Sequence, residues 1–334
     1  MDTLKLTKND LAKAAQLIQT GEIVAFPTDT VYGLGADATN EEAVKKIFNA
    51  KGRPIDRPLS VLVSDSSALE KFAVDVPMEA KMLAKEFWPG PLTILLKNAH
   101  LFAPSVTVGR ETVGLRMPDN QIALKFIETC GVPLATPSAN STGRPSPTLA
   151  EHVHSDLDGK ISAVINGGET SFGIESTVLD FSNPDQPVIL RPGNISKDAI
   201  ERVIHKKVSL LEQVSSVDDK NTNNMNAKHY EPTIPVFIVR SSFNSAIHEM
   251  KKRQETVGLL ASDEVVKEFQ EHVEASFSLC EGKDVNMANR RLFNGLRTLE
   301  QSKASVILVE PFDKGELSAA YMNRLQNAAN KKSI

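Results

Sequence analysis

The sequence predicts two α/β domains in one chain, the second small and Rossmann-like, and three observations predict them. Short apolar runs bounded by Gly, Pro or Asp alternate with stretches of helical apolar spacing along most of the chain. The alternation breaks between Gln213 and Asn226, where Ser, Asp, Asn and Lys replace the apolar pattern. The 334 residues suffice for two buried cores. We therefore expect a first domain over 1–205, a linker over 206–234 and a second domain over 235–334.

Lys8 to Thr20 reads as an opening helix, because Leu11, Ala14, Ala15 and Ile18 share a face. Gly21 ends it, and Ile23–Phe26 is a buried strand stopped by Pro27. Gly33 and Gly35 then read as turn residues. Thr39 and Glu42 have capping-box spacing before a helix that buries Ala43, Val44, Ile47 and Phe48. Strands follow at Leu59–Val63, Leu92–Leu96, Val113–Met117 and Pro133–Ala135, with helices near 79–87 and 120–130. Further strands fall at Ile161–Ile165, Thr177–Phe181 and Val188–Leu190, and Ser196 caps a helix through Ile204. Beyond Pro235, strands at Val236–Val239, Val257–Leu260, Ala275–Leu279 and Val306–Val309 alternate with helices, the pattern of a parallel sheet.

Composition narrows the function classes. The chain is 41% apolar and 24% charged with a net charge of −4, and neither part has the basic excess of a protein held to nucleic acid by phosphate contacts alone. No apolar run has the length of a membrane span, and no secretory signal pattern opens the chain. The two cysteines, Cys130 and Cys280, match no metal or redox spacing, so a reducing compartment, the cytoplasm, is expected.

Several loops concentrate polar chemistry at strand ends, where open α/β sheets hold ligands. The first is Thr28-Asp29-Thr30 after Pro27. Gly33-x-Gly35-x-x-Ala38 formally fits a dinucleotide fingerprint, but its glycines come too late after the strand to bring a pyrophosphate to a helix N-terminus. Lys51, Arg53 and Arg57 crowd a proline-stiffened loop suited to phosphate or carboxylate oxygens, or to a solvated helix end. Thr136-Pro-Ser138-Ala-Asn140 and Gly143-Arg-Pro-Ser146-Pro-Thr148 supply hydroxyls without a nucleophile elbow, which disfavours a serine nucleophile. Glu175-Ser176-Thr177 and Arg191-Pro-Gly193 repeat the design. His152 and His154 read as surface residues rather than metal ligands. Asp29, Glu111 and Glu175 are candidates for proton or magnesium chemistry that spacing alone does not pair.

Taken together, the motifs resemble the threonylcarbamoyl-AMP synthase family, the YrdC/YwlC type in its longer two-domain form. Residues 27–35 (PTDTVYGLG), 51–54 (KGRP), 89–93 (PGPLT), 112–118 (TVGLRMP), 136–140 (TPSAN), 145–148 (PSPT), 175–178 (ESTV), 191–193 (RPG) and His229-Tyr-x-Pro232 carry the likeness in the family's order. The resemblance implies a YrdC-like twisted open sheet with a concave site, and L-threonine, bicarbonate or CO2, and ATP with magnesium as substrates. No resident metal and no tightly bound organic cofactor is implied. It assigns threonine to Thr30, Arg116, Thr136 and Ser176. ATP falls to Arg53, Arg57, Thr112, Ser138, Ser146, Arg191 and Tyr230, with Lys51 and Arg53 as charge stabilisers. Through Tyr230 it implies a linker that closes over the site, and it implies hand-over of the product to a tRNA threonylcarbamoyl transferase complex, with room for a weak tRNA contact. Three positions depart from the pattern: Leu62 stands where some relatives carry a histidine, Arg57 where lysine is common, and Thr142 where serine is frequent. The competing class is an RNA-binding or ribosome-maturation module using the same basic loops; the acidic balance and the absence of aromatics interleaved with basic strand residues oppose it.

Overall fold

The computed structural model describes residues 2–211 and 229–334. Most of the expected linker therefore lies outside the described residues. The chain divides into two compact units. The first holds the described residues of Met1–Thr142, Pro147–Ser171 and Glu175–Met225, and the second those of Gly143–Ser146, Phe172–Ile174 and Asn226–Ile334.

In the first unit the order is β1 (Leu4–Thr7), α1 (Leu11–Gln19), β2 (Val24–Phe26), β3 (Gly33–Asp37), α2 (Glu41–Lys51), β4 (Ser60–Leu62), α3 (Ala68–Phe72), α4 (Met78–Phe87) and β5 (Leu92–Lys97). Next come α5 (Pro104–Thr107), β6 (Thr112–Arg116), α6 (Gln121–Cys130), β7 (Leu134–Ala135), α7 (Ala150–Leu157), β8 (Ala163–Asn166), β9 (Thr177–Asp180), β10 (Val188–Arg191), α8 (Lys197–Ile204) and β11 (Ser209–Leu210). The strands form one mixed eleven-stranded sheet in the order β1-β8-β2-β3-β7-β4-β6-β5-β9-β10-β11. Two apolar clusters cover it. The larger includes Tyr32, Val44, Ile47, Val61, Leu83, Ile94, Leu115 and Ile200, and the other includes Val24, Phe26, Leu62, Phe126 and Leu134.

Three local readings change. Gly33 and Gly35 lie in β3, antiparallel to β2, and neither has positive φ. They are glycine because of close approach: a Cβ on Gly33 would collide with Thr136 Cγ2, and one on Gly35 would lie 2.8 Å from Phe26 Cε1. Helix α2 is capped by Asn40, whose side chain accepts from the Glu42 and Ala43 N–H groups, while Thr39 turns back to Asp37. His152 is buried, its Nδ1 accepting from the Thr148 N–H at 3.2 Å, because an imidazole in the first turn of α7 can satisfy a donor just ahead of the helix. Strand β1 and the short helices α3 and α5 have too few apolar positions to stand out in the sequence.

The second unit contains β12 (Val236–Ile238), α9 (Phe243–Lys252), β13 (Val257–Ala261), α10 (Asp263–Phe269), β14 (Ala275–Ser278), α11 (Val285–Glu300), β15 (Val306–Val309) and α12 (Ser318–Ala328). Its four strands pair in parallel in the order β12-β15-β13-β14, the small Rossmann-like sheet expected from the alternation. No helix among the described residues is long and apolar enough to cross a membrane.

Candidate active site

Strand register places the polar residues of the first unit. β4 and β6 run in parallel with Ser60 opposite Gly114 and Leu62 opposite Arg116. Paired residues point to the same side of a sheet, so Ser60, Leu62, Thr112, Gly114 and Arg116 share one face. Gly114 lets that face close up: a Cβ there would meet Thr93 Cγ2 at 3.1 Å and Ser60 Oγ at 3.6 Å. Leu62 packs with the second apolar cluster.

Arg116 ends β6 and is the best-held cation of the face. Its Nε donates to the Gly90 carbonyl at 3.0 Å, its Nη1 to Thr30 Oγ1 at 2.9 Å, and its Nη2 pairs with Asp29 Oδ1. Thr30 is fixed from the other side by Thr28, whose hydroxyl lies 2.9 Å away. Asp29 is 1% exposed, and its Oδ2 has no hydrogen-bond partner. Burial pushes the Asp29 carboxyl up against the pull of Arg116, and burial lowers Arg116 against the pull of Asp29.

A second group sits where β9 begins. Ser176 Oγ and Thr93 Oγ1 are 2.8 Å apart, and Arg191 donates from Nε and Nη2 to the Ser176 carbonyl at 3.1 Å each and from Nη2 to Ser176 Oγ at 3.2 Å. Glu175 beside them is buried, whereas Glu111 is exposed near His100.

A third group joins α2 to the loop after β7. Lys51, 5% exposed, donates from Nζ to the Asn140 carbonyl at 2.5 Å and to the Ser138 carbonyl through a shorter bond. Burial first, then Arg53, lowers this lysine to about 7, against Asp156 and Glu175. A neutral amine still has two N–H donors, enough for both carbonyls. Gly52 takes the left-handed turn that ends α2 and directs the chain to Arg53 and Arg57. Arg53 reaches the Arg57 and Pro58 carbonyls with Nη2 at 3.5 and 3.3 Å, and its Nε has no partner. Burial and then Arg57 lower it to about 10.

Among the expected site residues, the structure thus joins Thr30 to Arg116, Ser176 to Arg191, and Lys51 to the Ser138 loop. Thr136 abuts Gly33, and Ser138 bridges to Gly33. Thr112 opens β6 opposite Lys97, at the far end of that strand from Arg116. Ser146 and Tyr230 belong to the second unit. Ser146 is buried there, and Tyr230 has φ +61° with its ring 5.0 Å from that of Phe293. Sequence reasoning passed over Thr93, the Gly90 carbonyl and the pairing of Asp29 with Arg116; the Thr-Asp-Thr and Pro-Gly-Pro-Leu-Thr segments were their only signal. No group of His, Cys, Asp and Glu able to hold a metal ion occurs among the described residues.

Arginine and lysine side chains fixed by carbonyls and hydroxyls beside small polar residues have the chemistry to hold anions, and not that of a nucleophile–base pair. Residues 16–193 match the family model described as telomere recombination (Sua5_yciO_yrdC), and residues 195–330 match the threonylcarbamoyl-AMP synthase C-terminal domain. The chain is 42% identical over 340 residues to the threonylcarbamoyl-AMP synthase of Bacillus subtilis (strain 168), covering 99% of this chain and 97% of that one. It is 42% identical over 329 residues to that of Pyrococcus abyssi (strain GE5 / Orsay), covering 96% and 94%. The crystal structure of P. abyssi Sua5 complexed with L-threonine matches with a TM-score of 0.88 at 39% identity, covering 100% of this chain and 99% of that one. The chain belongs to the threonylcarbamoyl-AMP synthase family in its two-domain Sua5 form.

Proposed function

We propose that the chain performs the family's nucleotidyl transfer, forming threonylcarbamoyl-AMP and pyrophosphate from L-threonine, bicarbonate and ATP, with the fixed Arg116 guanidinium as the threonine-carboxylate anchor. The observation that carries this reading is the three-sided hold on Arg116 by Asp29, Thr30 and Gly90, which orients a buried cation before any substrate arrives. Threonine is held by Arg116, Thr30, Thr136 and Ser176. ATP is held by Arg53, Arg57, Thr112, Ser138, Ser146, Arg191 and Tyr230, and magnesium enters on its phosphates as part of the substrate.

The threonine amine, once neutral, adds to CO2 and loses a proton, or condenses with bicarbonate and loses water, to give a carbamate. A carbamate oxygen attacks the α-phosphorus and the bond to the pyrophosphate oxygen breaks, so the leaving group departs as pyrophosphate. Two anions must approach each other, and Lys51, Arg53 and Arg191 oppose their repulsion and stabilise the charge that develops. No side chain becomes covalently attached. The product passes to a tRNA threonylcarbamoyl transferase complex for modification at tRNA position 37, in the cytoplasm. Pyrophosphate release by the purified protein should require threonine, bicarbonate and magnesium-ATP together. Release that continues at the same rate with threonine omitted argues against the reading.

A further inference from the structure

Three segments far apart in sequence meet one helix of the second unit. Helix α11 carries Arg290, Phe293, Arg297 and Glu300 at spacings that align them along one stripe. Arg297, 2% exposed, donates from Nε and Nη2 to the Pro145 carbonyl at 3.2 and 2.6 Å. Glu300 accepts from Arg144 Nη2 at 2.7 Å, from Arg144 Nη1 through a shorter bond, and from the Thr233 N–H. Phe293 packs on Tyr230, and a Cβ on Gly173 would collide with the Arg290 carbonyl oxygen. The Glu231 N–H also donates to the Gly143 carbonyl at 2.8 Å, so the segment around Ser146 and the segment around Tyr230 are tied directly to each other.

These are strong constraints. An arginine giving two donors to one carbonyl in a buried setting, and a carboxylate shared by a guanidinium and a backbone N–H, are charge-assisted bonds. Burial pushes the Glu300 carboxyl up, and its bonds from Arg144 and Thr233 outweigh that and hold it below the ordinary value. The two segments so fixed carry Ser146 and Tyr230, and Glu300 touches both.

We propose that this stripe of α11 positions Ser146 and Tyr230 for the nucleotide, with Arg297 and Glu300 as positioning residues for ATP that touch no reacting atom. The inference rests on the ATP assignment of Ser146 and Tyr230 under the proposed function. It gives the second unit a defined task, setting the geometry of two nucleotide contacts.

The test measures ATP binding by calorimetry on the full chain, together with kcat and the KM for threonine. Glu300→Gln keeps the side-chain shape and removes its charge. It should weaken ATP binding roughly tenfold, the loss expected for one charge-assisted bond, with kcat and the threonine KM within about twofold. Leu292→Val, a change in the buried core of the same helix, should lower the melting temperature and leave ATP affinity unchanged. Unchanged ATP affinity in Glu300→Gln, or equal weakening for ATP and threonine, overturns the inference. A wild-type protein that binds ATP yet makes no threonylcarbamoyl-AMP overturns the functional reading, and the calorimetric comparison still decides the role of Glu300. A wild-type protein that does not bind ATP overturns both.

Discussion

Arg116 and Asp29, 87 residues apart in sequence, form an ion pair that is almost completely withdrawn from solvent. Neither charge would be stable there alone, because the desolvation of a lone buried ion exceeds what surrounding dipoles return. The pair makes Arg116 a fixed cation, and its partner is itself anchored on the loop that supplies Thr30.

Removing the cation should therefore do two things. Arg116→Ala leaves the Asp29 carboxylate buried without its counter-charge and should destabilise the fold by roughly 3–5 kcal/mol, and it should abolish threonine binding. Urea unfolding and threonine calorimetry measure the two effects. In the double variant with Asp29→Asn much of the stability should return while threonine binding stays lost; additive losses of stability contradict the pairing.

Arg53 should behave in the opposite way. Its neighbours include a second cation, Arg57, and its Nε lacks a partner, so the fold gains little from its charge. Arg53→Ala should leave stability within about 1 kcal/mol of wild type and reduce turnover at least roughly a hundredfold. Near-normal turnover removes Arg53 from the nucleotide contacts.

Lys51 makes stability depend on pH. Its folded value near 7 lies below the ordinary 10.5, so between those limits the unfolded chain binds more protons than the folded one. Unfolding free energy then rises with pH across that window, by at most about 1.4 kcal/mol per unit. Wild type should gain stability relative to Lys51→Met from pH 7 to 9; parallel stability curves contradict the assignment. A polyphosphate bound beside Lys51 favours the ammonium form, so ATP binding near pH 8 should take up protons, read as a dependence of calorimetric heat on buffer ionisation.

Gly33 tests the close approach beneath the threonine contacts. A methyl group at this position runs into Thr136, and forcing it in should cost roughly 1–3 kcal/mol. Gly33→Ala should raise the KM for threonine more than that for ATP, because the displaced neighbour is assigned to threonine. Equal effects on both substrates would place Thr136 elsewhere.

Much of the fold was legible because its signals are local. The buried stripe of α2, the Ser196 cap that accepts from the Ala199 N–H, and all four strands of the second unit follow from periodicity and cap chemistry. Strand β3 was not, since glycines chosen for close approach look like turn glycines. Asn40 displaced Thr39 as the cap because Thr39 bonds to Asp37 instead. The burial of His152 depends on a contact with Thr148 that spacing does not reveal. In the site, the residue types and loops were visible, but which side chains meet was not. The partners of Arg116 come from two loops and are brought together only by sheet register. A resemblance names residues; it does not say that a carboxylate holds the arginine in place.

Incubating the purified protein with labelled threonine, bicarbonate and magnesium-ATP and resolving the products shows which bond to ATP breaks and where threonine goes. Labelled threonylcarbamoyl-AMP and pyrophosphate should appear in equal amounts, and both should be lost in Arg116→Ala. Pyrophosphate without a labelled adenylate, or ADP and phosphate in its place, would contradict the proposed reaction.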